Sequence, residues 1–387
     1  MRAPVAPALL LLIWVVAGCS SVEDTVDPPN ELTDFDRGAR AEILWSADTG
    51  GGGTDKWIAL KPLVAGERIY AANVGGRVSA FEREGGDRQW ATDLEQRLSA
   101  GVGGSGNTIA VGTSEGTVVA LSIDDGSERW RADLEGELLA APGGGGGLFI
   151  VRTVDGRIVA LAEDDGERLW SFSTDVPALS LRGNGQPLRV GGGVLVGLDN
   201  GQLIALSEQN GQPLWQTTIA EASGESSIER MVDIDGAIGI GQRVAFGVTY
   251  QGNIASVEPQ RGNVGWRREM SSYAGLGVDA ARVYVSTADS HIVALDVEDG
   301  ETLWRQEKLA HRRLTAPVPV PGTDYLAAGD LEGYVHVLTR ADGRIVNRQR
   351  VGGASILADP VGAGTGRIAV QDRGDDLAVL EVGPLEE

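Results

Sequence analysis

One pattern recurs seven times along this chain, and its fixed spacing leaves few folds open to it. The copies run GRVSAFEREGGDRQW (Gly76 to Trp90), GTVVALSIDDGSERW (Gly116 to Trp130), GRIVALAEDDGERLW (Gly156 to Trp170) and GQLIALSEQNGQPLW (Gly201 to Trp215). They continue as GNIASVEPQRGNVGW (Gly252 to Trp266), SHIVALDVEDGETLW (Ser290 to Trp304) and GYVHVLTRADGRIVN (Gly333 to Asn347). The first and last positions lie 14 apart in every copy. Such constancy predicts a β-hairpin, because the turn of a hairpin fixes the register of both its strands. In the first half of each copy, apolar residues occupy both sides of an extended chain, Ile158 and Ala160 on one and Val159 and Leu161 on the other. An acidic or polar turn ending in Gly follows, and then a strand that carries the Trp.

A further β-rich run precedes each hairpin, among them TIAVGT, LFIVRT and VYVSTA, and before that comes a stretch of small residues such as LSAGVGG or LLAAPGGG. Four short strands per unit at a period of about 40 residues predict an all-β propeller of four-stranded antiparallel blades. Small residues suit the innermost strands, where blades converge. No useful apolar segment has a 3.6-residue period, which excludes a helical solenoid. After Asn347 an eighth half-unit, RIAVQDRGDDLAVL (Arg367 to Leu380), ends without a Trp strand, whereas Ile43-Leu44-Trp45 precedes the first full copy with no hairpin partner. Pairing these two closes an eight-bladed ring and removes its open edge. The propeller is expected over residues 41–383 with a tail at 384–387, so the 387 residues make one ring rather than two or three domains. Trp45, Trp90, Trp130, Trp170, Trp215, Trp266 and Trp304 hold one equivalent position per blade. A structural role is expected for all seven, since a large ring there can wedge neighbouring blades together. Trp57 falls outside the register.

Composition narrows the function. With 33 basic against 55 acidic residues and a net charge of −22, the chain is ill suited to neutralising nucleic-acid phosphates. One Cys cannot form an intramolecular disulfide, and His291, His311 and His336 show no zinc-type spacing. No metal and no cofactor is therefore expected. Residues 1–18 read as a secretory signal, with Arg2, an apolar stretch from Ala8 to Val16 and a small-residue processing site. That stretch is too short to remain as a membrane-spanning helix. Residues 19–40, acidic and interrupted by a Pro-Pro pair, read as a flexible tether.

Because the hairpin is constant, length varies only between one Trp and the next copy, where the intervals are 31, 26, 26, 31, 37, 24 and 29. The long intervals after Trp170 and Trp215 are consecutive, so their extra residues should be neighbours on one face of the disc. Such insertions are where function is grafted onto a repeat scaffold. The first holds Pro177 to Gly183, with Leu179 and Leu181 on one side of an extended chain. The second, Ala222 to Gly236, carries Glu225, Glu229, Arg230, Asp233 and Asp235. Two layouts fit: an apolar centre rimmed by acids and Arg, as at a partner site, or leucines in an inner-strand core with the acids solvated. The Gly runs Gly50 to Gly53 and Gly143 to Gly147 are expected to loosen surface turns.

The Trp-bearing hairpins resemble the quinoprotein-type propeller repeat. LSLRG (Leu179 to Gly183), ERMVDID (Glu229 to Asp235), LAHRRLTAPV (Leu309 to Val318) and GDLEGYVHVL (Gly329 to Leu338) resemble the BamB family, lipoproteins of the outer-membrane β-barrel assembly machinery. Val16-Ala17-Gly18-Cys19 is similar to the bacterial lipobox, which implies cleavage before Cys19, diacylation of its thiol and acylation of the new amine. Ser20 after it is similar to the pattern of lipoproteins released to the outer membrane. The resemblance implies a non-catalytic, lipid-anchored propeller at the periplasmic face of a Gram-negative outer membrane. It further implies binding to the POTRA repeats of BamA within the barrel assembly complex, and assistance to folding and insertion of outer-membrane barrel proteins. The BamA contacts it implies are Leu179, Leu181, Arg182, Asp233 and Asp235. Unfolded barrel proteins are a further class of partner, and the protein itself is expected to be monomeric. The Asn-Gly-Gln-Pro that follows LSLRG departs from the commoner family pattern and bears on the shape of that loop.

Two other readings compete. Pyrroloquinoline-quinone dehydrogenases share the repeat, but they commonly hold the quinone beside a vicinal disulfide and a Ca²⁺ with acidic ligands. Here the only Cys is Cys19, and no acidic constellation can be placed in a central funnel from the sequence. No Ser-His-Asp arrangement is legible either. A generic propeller adaptor or sugar-binding lipoprotein stays open, because fold alone does not fix function.

Overall fold

The computed structural model describes residues 27–51, 57–181, 183 and 185–385. Among them, 32 strands form eight antiparallel sheets of four, the blades of an eight-bladed propeller. Blade two shows the plan, running outward from the axis through Leu98–Ser105, Thr108–Thr113, Thr117–Ser122 and Glu128–Asp133. The two middle strands are covered on both sides by neighbouring blades, so they read as apolar runs. Their alternate side chains feed different cores. In blade three, Val159 and Leu161 pack with Ala110, Val118 and Ala120 of the preceding blade, while Ile158 and Ala160 pack with Val194, Val196 and Ile204 of the following one. The hydrophobic core is thus divided among the interfaces between blades. Each large aliphatic side chain buried there contributes about 1.5–3 kcal/mol relative to exposure.

The hairpin spacing has a structural cause. Its turn glycines, from Gly86 to Gly343, all adopt φ between +69° and +79°, a region costly for any residue with a Cβ. A β-bulge follows in the outermost strand: Ala160 pairs with Trp170 and Leu161 with Arg168, so Leu169 is skipped and left exposed. The bulge turns the Trp toward the next blade. Trp170 donates its indole N–H to the Glu208 carbonyl at 2.8 Å, and its ring covers Gly211, where a Cβ would lie 2.5 Å away. All seven repeat tryptophans dock in this way on the next blade's turn, Trp45 on Arg83 and Gly86 included. Each ring thus lies across the seam between two neighbouring blades.

Ring closure follows the expected pairing. Arg40–Asp48 is the outermost strand of blade eight, antiparallel to Asp376–Gly383, with Ile43 opposite Leu380 and Trp45 opposite Val379 across a bulge at Leu44. Because this blade joins the two ends of the propeller, no turn links its third and fourth strands, and blade seven has no turn glycine to cover. That is where the repeat carries Asn347 instead of Trp. Its Nδ2 donates to the Ala39 carbonyl at 2.7 Å. Before this strand, Asn30 donates to the Ala310 carbonyl and accepts from Arg312, so part of the segment read as tether lies along blade seven.

One expectation is corrected. Gly143 and Gly144 do not loosen a surface turn; they lie in an innermost strand, Gly143–Gly145. A Cβ on Gly143 would stand 2.2 Å from the Pro187 carbonyl, and one on Gly144 2.1 Å from that of Gly104. Crowding at the axis, not flexibility, demands glycine there. Of the other run, residues 52 and 53 lie outside the described residues.

Candidate functional site

The up-and-down order of each blade puts every connection from an outermost strand to the next innermost strand on the same face of the disc. Both long insertions are such connections, in blades four and five. The first runs from Arg168–Ser173 to Leu188–Val190 and leaves Leu179 and Leu181 43% and 39% exposed. The second begins with one helical turn closed by a capping box: Glu229 N–H donates to Ser226 Oγ, and Ser226 N–H donates to Glu229 Oε2. It then dives inward. Ile234 N–H donates to the Leu198 carbonyl of blade four, and Tyr250 N–H donates to the Asp233 carbonyl, so residues 233–235 are clamped between two blades.

The clamping inverts the second of the two layouts open to the sequence and moves two acids of the first from rim to base. The leucines are exposed, while Asp233 and Asp235 are 0% and 3% exposed beneath them. Asp233 Oδ2 accepts the Leu181 backbone N–H, and Gly183 lies so close that a Cβ there would fall 2.0 Å from Asp235 Oδ1. A third carboxylate, Asp199, joins them from a turn of blade four, with ligand atoms of all three within 4.8 Å of one another. Asp199 is ion-paired with Arg152 of blade three, and both are buried. Burial raises the Asp233 carboxyl to about 6 and the Asp235 carboxyl well above its usual range, and the neighbouring acids add to both effects. Sequence reading missed Asp199 and Arg152. Asp199 sits in a regular Asp-Asn-Gly turn 34 residues before Asp233, and nothing in its spacing marks it. Glu225, Glu229 and Arg230 are exposed, as is Ile228. Arg182, expected beside the leucines, lies outside the described residues, as does Cys19.

On the same face the central channel opens, with a volume of roughly 1300 Å³ and Leu181, Asp235, Arg313 and Trp57 on its wall. Trp57, the tryptophan outside the register, is 58% exposed, with the guanidinium carbons of Arg313 and Arg373 5.1 and 4.9 Å from its ring centre.

The family described as Outer membrane protein assembly factor BamB matches residues 74–306 and 288–383. The chain belongs to the BamB family. It is 48% identical over 358 residues to the Outer membrane protein assembly factor BamB of Pseudomonas aeruginosa, covering 92% of this chain and 94% of that one. The Escherichia coli BamB is 33% identical over 374 residues, 94% of this chain and 95% of that one. Among solved structures, BamB from Moraxella catarrhalis superposes with a TM-score of 0.80 at 29% identity, covering 88% of this chain and all of that one. A quinohemoprotein alcohol dehydrogenase from Comamonas testosteroni reaches 0.69 at 13% identity, with 90% and 77% coverage. That likeness is one of fold alone. The chain therefore shares its ring with that enzyme.

Proposed function

We propose that this chain is an outer-membrane protein assembly factor acting as a non-catalytic scaffold, docked through Leu179, Leu181 and Arg182 on the POTRA repeats of BamA. One observation carries the reading: two leucines stand exposed on a loop whose backbone is fixed from below by a buried carboxylate. A pinned apolar pair loses little freedom on docking, so more of its burial appears as affinity. Asp233 contributes by holding the loop from beneath, and Asp235 packs against it at Gly183. Lipid on Cys19 keeps this face in the outer-membrane periplasm, where several acyl chains at about 0.8 kcal/mol per buried CH₂ outweigh the repulsion of an acidic chain. Leu179→Asp and Arg182→Glu should each abolish co-purification with BamA while leaving the circular dichroism melt of the propeller unchanged. Retained binding in both variants would overturn the surface.

A further inference from the structure

Among the described residues, little compensates the three buried carboxylates. Arg152 serves Asp199, and the Leu181 N–H serves one oxygen of Asp233. Among the described residues, Asp233 Oδ1 and both oxygens of Asp235 have no hydrogen-bond partner, although Asp235 is 97% buried and faces the other two acids. Buried polar atoms are almost always paired, and unpaired buried carboxylate is among the costliest exceptions. A bound cation would satisfy all three of these oxygens at once. We propose that Asp199, Asp233 and Asp235 form a Ca²⁺ site that ties the turn of blade four to the insertion of blade five.

The donor set selects the ion. Three carboxylates with no nitrogen or sulfur ligand suit a hard cation and not zinc or copper. Two ligands on opposite sides of one ion stand at most twice the metal–oxygen distance apart, about 4.6–5.2 Å for Ca²⁺ but only about 4.0–4.2 Å for Mg²⁺. The ligand atoms here all lie within 4.8 Å of one another, an upper limit that a Ca²⁺ shell can span. Ca²⁺ also accepts an irregular shell, which three side chains from two loops supply more readily than an octahedron. The −22 charge of the chain raises the local concentration of any divalent cation. The site holds an ion in a buttress between blades, far in character from an open catalytic centre.

The test is calorimetric titration of Ca²⁺ into the mature lipoprotein in detergent after chelator treatment, with Mg²⁺ as the comparison ion and a thermal melt alongside. One Ca²⁺ should bind per chain and raise the Tm, and Mg²⁺ should bind more weakly. Asp235→Asn and Asp199→Asn should each weaken binding by more than about tenfold, whereas Glu229→Gln on the exposed turn should leave it unchanged. If Asp235→Asn fails to fold, Asp199→Asn carries the same comparison. Absence of binding up to about 5 mM, above the 10⁻⁴–10⁻³ M range of extracellular Ca²⁺ modules, overturns the site. So does binding that survives both Asp variants. Binding that appears only in Arg182→Ala also overturns it, since the chain's own guanidinium would then be the cation the acids hold.

Discussion

His336 shows how much chemistry a single buried residue can encode. It lies fully buried on the third strand of blade seven, Tyr334–Thr339. Its Nε2 is 2.8 Å from Asp330 Oδ2, and its Nδ1 accepts from Arg348 Nε at 3.4 Å, so the proton sits on Nε2. Burial pushes the imidazole below its ordinary value; the Asp330 carboxylate opposes this, and Arg348 and Arg312 reinforce it. Burial alone would raise Asp330, but bonds from His336, the Tyr334 N–H and Arg312 hold it low. The folded protein therefore resists protonating His336 while the unfolded chain takes up a proton near pH 6.5. Stability from this residue is complete above that pH and is lost as pH falls through the depressed value of the folded protein; that from Asp330 goes only below about 3.9. His336→Gln, which can make both hydrogen bonds and cannot titrate, should show a smaller fall in Tm between pH 7 and 5 than the native protein. Equal slopes would contradict this assignment of charge. From the sequence His336 is one of three scattered histidines, because its partners Arg312 and Arg348 come from other strands and loops.

At the scale of the hairpin, the unit of stability is a Trp and the turn glycine of the next blade. Trp170→Ala loses the ring over Gly211 and the bond to Glu208, which should cost near the lower end of the about 3–5 kcal/mol typical of such truncations. Asn347→Trp, which makes the seventh copy conform, should instead destabilise. Gly38 already packs against Val346, and the indole would meet a passing strand with no turn to receive it. Urea unfolding of the two variants tests the pair, and a more stable Asn347→Trp would refute the account. The spacing of 14 made this element legible, since turn, bulge and Trp are all local in sequence.

For the whole molecule, the decisive element is Arg40–Asp48, the strand that closes the ring. Without it, Asp376–Gly383 becomes an open edge of eight residues, a template for pairing between molecules. Deleting residues 27–48 should replace the monomer by aggregates in size-exclusion chromatography and remove the cooperative melt. A truncated chain that stays monomeric with an unchanged Tm would show that the seven complete blades suffice.

The sequence by itself determined the fold class, the blade count, the closing strand and the position of both insertions, because each is written as a repeat or as a departure from one. It also singled out Leu179, Leu181, Asp233 and Asp235, through interval lengths and family resemblance. What it left open was which of them face water. Only the tertiary structure decided that, by clamping residues 233–235 between two blades and lifting the leucines above them. Asp199 and Arg152 joined the acids for the same reason. Burial and charge compensation depend on segments some 30 to 80 residues apart meeting at one blade interface, and no local pattern records such a meeting.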